Sequence, residues 1–289
     1  MSGLDDHAQR LRRFRAELEA HPISAVQAGG HWSARCRQIL EDARTRNPAE
    51  LLRWPSLADF SVVEEWIPPA WYEELRSSEA WSAKWFPLTR DVALGMPRTY
   101  SRDLGTSPIL VQHAYHLHRY EAMTGRPFEG SHDVIFEVGG GYGSFCRLLR
   151  NAGFRGLHII LDLPPVSSIQ RLYLGMLGHV EVPHTSVGSM PRDRFCLIDD
   201  RHLDEVYTSL RSSGRKIGFV ATWSLSEAPM QVRERIFPRF HEICGAFLLA
   251  AQPAWEGIDN RRYFSMLARS MPQLKWQVQQ IPPSFYLFA

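Results

Sequence analysis

Two carboxylates and a cluster of glycines within DVIFEVGGGYGSFCRLLRNAGFRGLHIILDLPP (133–165) are the residues best placed to do chemistry. Glu137 stands two residues before Gly139; Gly141 and Gly143 follow, and Asp162 closes the next apolar run. Glycine accepts φ > 0 and, lacking a Cβ, lets the backbone approach a ligand. A helix beginning just behind the turn aims amide donors at that ligand. A dinucleotide turn reads G-x-G-x-x-G or A around a pyrophosphate. Here the third place falls on Ser144, and Gly143 makes the pattern G-x-G-x-G instead. A carboxylate ahead of the first glycine sits awkwardly beside a pyrophosphate. It suits a ligand whose ammonium and sulfonium are both cationic. Asp162 is placed to accept both hydroxyls of a ribose cis-diol. Asp199 or Asp200, at the end of a third strand, is placed to reach an adenine amine. These acids, in this order, predict a site for S-adenosylmethionine.

The elements that must position them follow from the apolar periodicity. Strands are expected at 134–138, 157–162, 195–198, 217–223 and 246–252, with helices at 143–152, 166–177, 203–212 and 230–244 between them. A β-like piece is expected at 179–184. After a helix near 261–270, two closing segments, 275–281 and 284–289, suggest an antiparallel edge hairpin. Repeated βαβα units imply an α/β fold: a Rossmann-like, mostly parallel seven-stranded sheet with helices on both faces. Ahead of it, residues 1–105 carry Trp32, Trp54, Trp66, Trp71, Trp81 and Trp85 among short amphipathic pieces broken by prolines. Helices are expected there at 5–20, 32–45 and 58–77, forming a cap or homodimerisation region whose tryptophans supply buried area. Residues 106–289 form the ligand-binding domain. A helix over 108–124 carries His113, His116 and His118. Its first two histidines share a face; the histidines read as partly buried or surface residues, or as substrate-facing, with no acidic third ligand at metal spacing.

The 289 residues are 44% hydrophobic and 22% charged, an ordinary balance for a globular enzyme, and the net charge of +2 gives no nucleic-acid footprint. Cys36, Cys146, Cys196 and Cys244 form no C-x-x-C pair and read as free thiols of a reducing compartment. The charged N-terminus has no apolar signal core, and no apolar run is long enough for a membrane. The expected location is the cytoplasm.

EVGGGYGSF followed by LDLPPVSSIQRLYL resembles the sugar O-methyltransferase family of class I S-adenosylmethionine-dependent enzymes. The likeness is good over about 130–252 and poor over the N-terminal third. More loosely, the chain is similar to small-molecule O-methyltransferases whose second strand ends in Asp-Leu-Pro. The resemblance implies that Glu137, Gly139, Gly141 and Asp162 hold the cofactor, with Leu163 beside the adenosine. Ala221-Thr222-Trp223-Ser224-Leu225-Ser226-Glu227 resembles that family's asparagine-threonine-x-serine-x-x-glutamate stretch. Ala221 departs from it by losing an amide.

Methyl transfer to a hydroxyl needs a base within hydrogen-bond reach, or a metal, because a protonated alcohol is a poor nucleophile. Glu227, with Ser224 nearby, is the first candidate for the base, and His202 in DDRH is the second. Thr222, at the end of the same strand, belongs with the cofactor contacts. No spacing supports a metal site. The expected partner is a small-molecule acceptor, sugar-like or a natural-product intermediate. A nitrogen acceptor, a Rossmann NAD(P) oxidoreductase and a non-catalytic binding protein stand as alternatives. TWSLSE lacks the Asn/Asp-Pro-Pro-aromatic loop that grips a flipped base.

Overall fold

The computed structural model describes residues 2–20, 30–58, 60 and 64–289. The chain divides into a helical unit, Met1–Ala114 with Gly140–Ala152 and Asp162–Val182, and a sheet unit, Tyr115–Gly139 with Gly153–Leu161 and Pro183–Ala289.

The helical unit contains α1 (Ser2–Ala20), α2 (Gly30–Thr45), α3 (Pro69–Ser77), α4 (Phe86–Thr89) and the first part of α5 (Pro108–Thr124). It also takes in two helices from later in the chain, α6 (Ser144–Asn151) and α7 (Pro164–Met176). Both α1 and α2 pack on α7, and α4 packs on α6. Trp54, Trp71 and Trp85 are buried, as packing residues in thin helical layers should be, whereas Trp66 is exposed. The helix expected over 58–77 is cut short. Proline disfavours helical backbone in the residue before it and suits the first helical position, so Pro68 is extended and Pro69 opens α3. A 3₁₀ turn, Glu64–Trp66, precedes it; residues 59 and 61–63 lie outside the described residues.

Arg147 of α6 ties parts of this unit together. Its guanidinium donates to Asp91 Oδ1 at 2.6 Å, to the Tyr173 hydroxyl at 3.1 Å and to the Arg90 carbonyl at 2.9 Å. Both charged side chains are almost fully buried. Such a pair is tolerable in an interior only because these added hydrogen bonds replace water.

The sheet unit is built on β1 (Val134–Val138), β2 (Leu157–Leu161), β3 (Arg194–Ile198), β4 (Ile217–Thr222) and β5 (Cys244–Ala251). A small hairpin, β6 (Ala254–Trp255) with β7 (Ile258–Asp259), stands apart from the main sheet, and β8 (Gln277–Ile281) and β9 (Ser284–Phe288) end the chain. The main sheet has seven strands in the order β3-β2-β1-β4-β5-β9-β8. The first five run parallel, and β9 and β8 close the sheet as the expected antiparallel edge hairpin. With α8 (Leu203–Ser212), α9 (Ser224–Glu227), α10 (Met230–Phe240) and α11 (Asn260–Ser270) between strands, this is a Rossmann-like α/β fold.

The inner parallel strands β1 and β2 are buried along their whole length. Strands covered on both faces read as continuous apolar runs for that reason. On one side Phe136 stacks on Phe240 of α10 at 3.8 Å between ring centroids, and Phe219 and Phe247 extend the cluster. The β-like piece expected at 179–184 comes down to a single bridge residue, Glu181, which Arg171 holds with contacts of 2.6 and 2.8 Å, and Pro183 leads into a 3₁₀ turn, His184–Ser189. All four cysteines are buried, and none is in a disulfide. Among the described residues no helix is long and apolar enough to cross a membrane.

Candidate functional site

Strand order in the sheet reverses between β1 and β4, and in open parallel sheets ligands bind beyond the carboxyl ends of strands at such a switch point. The carboxyl end of β1 runs into Gly139, where the Gly139 amide donates to the Leu161 carbonyl at 2.9 Å. The carboxyl end of β4 runs into Trp223 and Ser224. The two ends are in contact: the Ser224 hydroxyl donates to the Val138 carbonyl. A Cβ on Gly139 would overlap that of Ser224, and Gly139 has φ of 69°. This position therefore requires glycine twice over, by close approach and by backbone conformation. Ser224, expected near the acceptor, spends its hydroxyl on this backbone contact.

Trp223 is a residue that sequence patterns did not single out. Its φ of 69° puts a bulky side chain in the left-handed region. Such strain costs of order 1–3 kcal/mol and gathers at functional sites. Several bonds hold it: its amide donates to the Ala250 carbonyl at 2.7 Å, its indole to Ser284 Oγ at 2.8 Å, and its carbonyl accepts from the Ser226 amide at 2.8 Å, the Ser226 hydroxyl at 2.5 Å and Glu227 N at 3.1 Å. Thr222, just before it, ends β4 in register with Ala250.

Glu137 is 1% exposed, and its Oε2 lies 2.7 Å from His158 Nε2, itself fully buried. Register explains the meeting. Glu137 lies opposite Ile160 and His158 opposite Ile135, so the two point to one sheet face, offset by two positions. The apolar look of LHIIL hides this polar partner.

Within the helical unit, the rest of the glycine turn meets the second acid. Asp162 is half-buried at the head of α7. Its Oδ1 accepts from the Leu163 amide at 2.8 Å, and its Oδ2 accepts from the Gly140 amide at 2.9 Å and from Gln170 Nε2 at 2.7 Å. Gln170 Nε2 also donates to the Gly141 carbonyl at 2.9 Å. Gln170 was not foreseen either; its signal is its place on the buried face of α7, where LDLPPVSSIQ is otherwise nonpolar or small. Gly143, with φ of 97°, begins α6 against the Leu174 side chain. His113 of α5 is buried with its Nδ1 3.3 Å from Ser144 Oγ at the head of α6, and burial pushes its pKa down to about 3. His116, on the sheet unit's share of α5, is buried with its Nδ1 3.0 Å from the Tyr286 hydroxyl.

The acids after β3 have other partners. Asp199 caps the turn that follows, accepting from the Arg201 amide at 2.9 Å and from its guanidinium at 3.0 Å, with His202 Nδ1 3.0 Å away. Burial raises the Asp199 pKa, but the Arg201 hydrogen bonds outweigh it and the net shift is downward. Asp200 binds the Arg235 guanidinium of α10. The His202 ring lies 4.0 Å from that of His184. Glu227, half-buried at the end of α9, accepts from Gln252 Nε2 at 2.7 Å. Its loop is gripped from inside: buried Arg233 donates to the Ser226 and Ala228 carbonyls and, at 2.6 Å, to Asn260 Oδ1. Among the described residues no group of three or more His, Cys, Asp or Glu is arranged to hold a metal ion.

No protein-family model matches the chain, and no curated protein matches it. Solved structures give a faint likeness. An O-methyltransferase family protein from Burkholderia thailandensis is 11% identical over 62% of this chain, which spans 57% of that protein's length, with a TM-score of 0.36. PigF with SAH is 13% identical over 97% of this chain and 94% of its own, with a TM-score of 0.37. The mitomycin 7-O-methyltransferase MmcR is 14% identical over 97% and 94%, with a TM-score of 0.36. Overlaps this low carry no functional weight, and the chain's own residues must supply it.

Proposed function

We propose that the chain binds S-adenosylmethionine and transfers its methyl group to a hydroxyl of a small molecule, a sugar or another natural-product intermediate. The observation that carries this is the Asp162 carboxylate, held at the end of β2 by the Gly140 and Leu163 amides and by Gln170. These donors are neutral, and a carboxylate at this place is the acceptor that a ribose cis-diol suits. Gly139, Gly141 and Gly143 give the turn its close approach. Glu137, buried against His158, is the carboxyl group ahead of the first glycine that suits a ligand cationic at its ammonium and sulfonium, and Leu163 flanks the adenosine. Thr222 and Trp223 stand at the carboxyl end of β4.

In the transfer itself the acceptor oxygen attacks the sulfonium methyl in line. The new C–O bond forms as the C–S bond breaks, and the sulfur leaves as the neutral thioether of S-adenosylhomocysteine. Glu227 takes the hydroxyl proton, with Gln252 fixing one of its oxygens. The leaving group is already activated, so positioning and exclusion of water do most of the remaining work. His202 is the second candidate for the base. It is held beside Asp199 and His184, and Glu227 is preferred because its loop follows β4 at the switch point.

Calorimetry with S-adenosylhomocysteine tests the cofactor. Binding by the wild type that is lost in Asp162→Ala is expected; no binding by the wild type, or binding untouched by the substitution, overturns it. For the base, Glu227→Gln is expected to keep S-adenosylhomocysteine affinity while abolishing turnover on any acceptor found by screening hydroxylated small molecules.

A further inference from the structure

We propose that Gln170 is a positioning residue for the cofactor, acting through Asp162 and the glycine turn without touching the ligand. The inference rests on the S-adenosylmethionine reading and goes further into the same site. Gln170 is fully buried on α7, so no ligand reaches it directly. One nitrogen, Nε2, serves two acceptors from different parts of the chain: Asp162 Oδ2 at 2.7 Å and the Gly141 carbonyl at 2.9 Å. Asp162 Oδ2 takes a second donor from the turn, the Gly140 amide at 2.9 Å. The result is a closed loop of hydrogen bonds joining the two halves of the motif, the turn after β1 and the acid after β2.

Chemistry fixes which way the amide points. Both of its near neighbours are acceptors, so turning it over would set an amide oxygen against a carboxylate oxygen and a carbonyl oxygen. The other end then confirms that packing is not the purpose. Gln170 Oε1 is buried with no hydrogen-bond partner among the described residues. A buried unpaired acceptor is a cost that leucine or methionine of similar volume would avoid. The amide is worth that cost only for what its nitrogen does, which is to fix the plane of the Asp162 carboxyl group. A neutral donor does this without cancelling the charge that a ribose diol needs.

The test measures S-adenosylhomocysteine affinity by calorimetry, up to millimolar ligand, in four proteins besides the wild type: Gln170→Leu, Gln170→Glu, Asp162→Ala and the double variant Gln170→Leu/Asp162→Ala. Gln170→Leu is expected to weaken binding about tenfold, the usual scale for one hydrogen bond to a charged group. In the Asp162→Ala background the same change is expected to cost less than about twofold, because its target is gone. Gln170→Glu keeps the shape. Its carboxyl donates to Asp162 when protonated and repels it when ionised, so affinity should approach the wild type near pH 5.5 and fall as pH rises. Cys36 of α2 stays a thiol throughout, since burial, with Asp162 adding to it, raises its pKa to about 12. Wild-type affinity in Gln170→Leu, an equal loss in both backgrounds, or a Gln170→Glu profile parallel to the wild type overturns the positioning role while leaving the cofactor in place. A wild type that does not bind S-adenosylhomocysteine overturns both.

Discussion

The acids after β2 and after β3 occupy equivalent places in the chain, each closing a strand, yet their surroundings differ in kind. Asp162 is held by backbone amides and a glutamine. Asp199 and Asp200 are held by Arg201 and Arg235. An amide donor fixes a carboxylate and leaves its charge for a ligand; a guanidinium fixes it and neutralises it. His113, in the helical unit, is buried and kept neutral, whereas His202 and His184 sit half-exposed among charged groups. Position at the end of a strand therefore does not by itself set what surrounds an acid.

The comparison can be broken most violently at the turn itself. Gly139→Ala should destabilise the protein by about 4 kcal/mol, combining a clash with a left-handed backbone, read as a shift in the urea midpoint. A loss below about 1 kcal/mol would show that the β1 and β4 ends can part at little cost. Next comes the amide-held acid. Asp162→Ala should weaken S-adenosylhomocysteine at least about 100-fold, as expected when a charged acceptor of two hydroxyls is removed.

The neutral histidine gives an effect of intermediate size, with a definite sign. His113 has a folded pKa of about 3 against an ordinary 6.5. Between those values the unfolded chain binds a proton that the folded chain refuses, so stability is full above about pH 6.5 and falls as the pH drops towards 3. At pH 5 the loss should be about 2 kcal/mol relative to pH 8, and His113→Asn should flatten that slope in chemical denaturation. The smallest effect belongs to the arginine-held pair. Asp200→Asn should change S-adenosylhomocysteine affinity less than about threefold and stability by less than about 0.5 kcal/mol, in line with exposed ion pairs. If it matched Asp162→Ala, the contrast between amide-held and arginine-held acids would be lost.

Much of the sheet unit was legible because buried parallel strands write themselves as apolar runs: VIFEV, LHIIL, IGFVAT and CGAFLLAA. The glycine turn and Asp162 were legible for a related reason, since only certain residues fit a tight turn and a strand end. Their supporters were not. His158 and Gln170 each sit inside otherwise apolar or small-residue elements, and only register or helix phase reveals what they touch. The strain at Trp223 is a backbone property that no residue type announces. In the N-terminal third, proline breaks were read as loop punctuation between helices, but Pro69 proved to be a helix start.

The tie from Arg147 to Asp91 bears on how far the molecule can be taken apart. A chain begun at residue 106 would keep α6 and lose both Asp91 and the Arg90 carbonyl. That would leave a guanidinium in the interior with most of its partners gone, a defect worth about 3–5 kcal/mol. The boundary between the two units also falls inside the motif, between Gly139 and Gly140 and again between Leu161 and Asp162. The first hundred residues therefore cannot be traded for another segment as a detachable module: any replacement must bring its own carboxylate for α6.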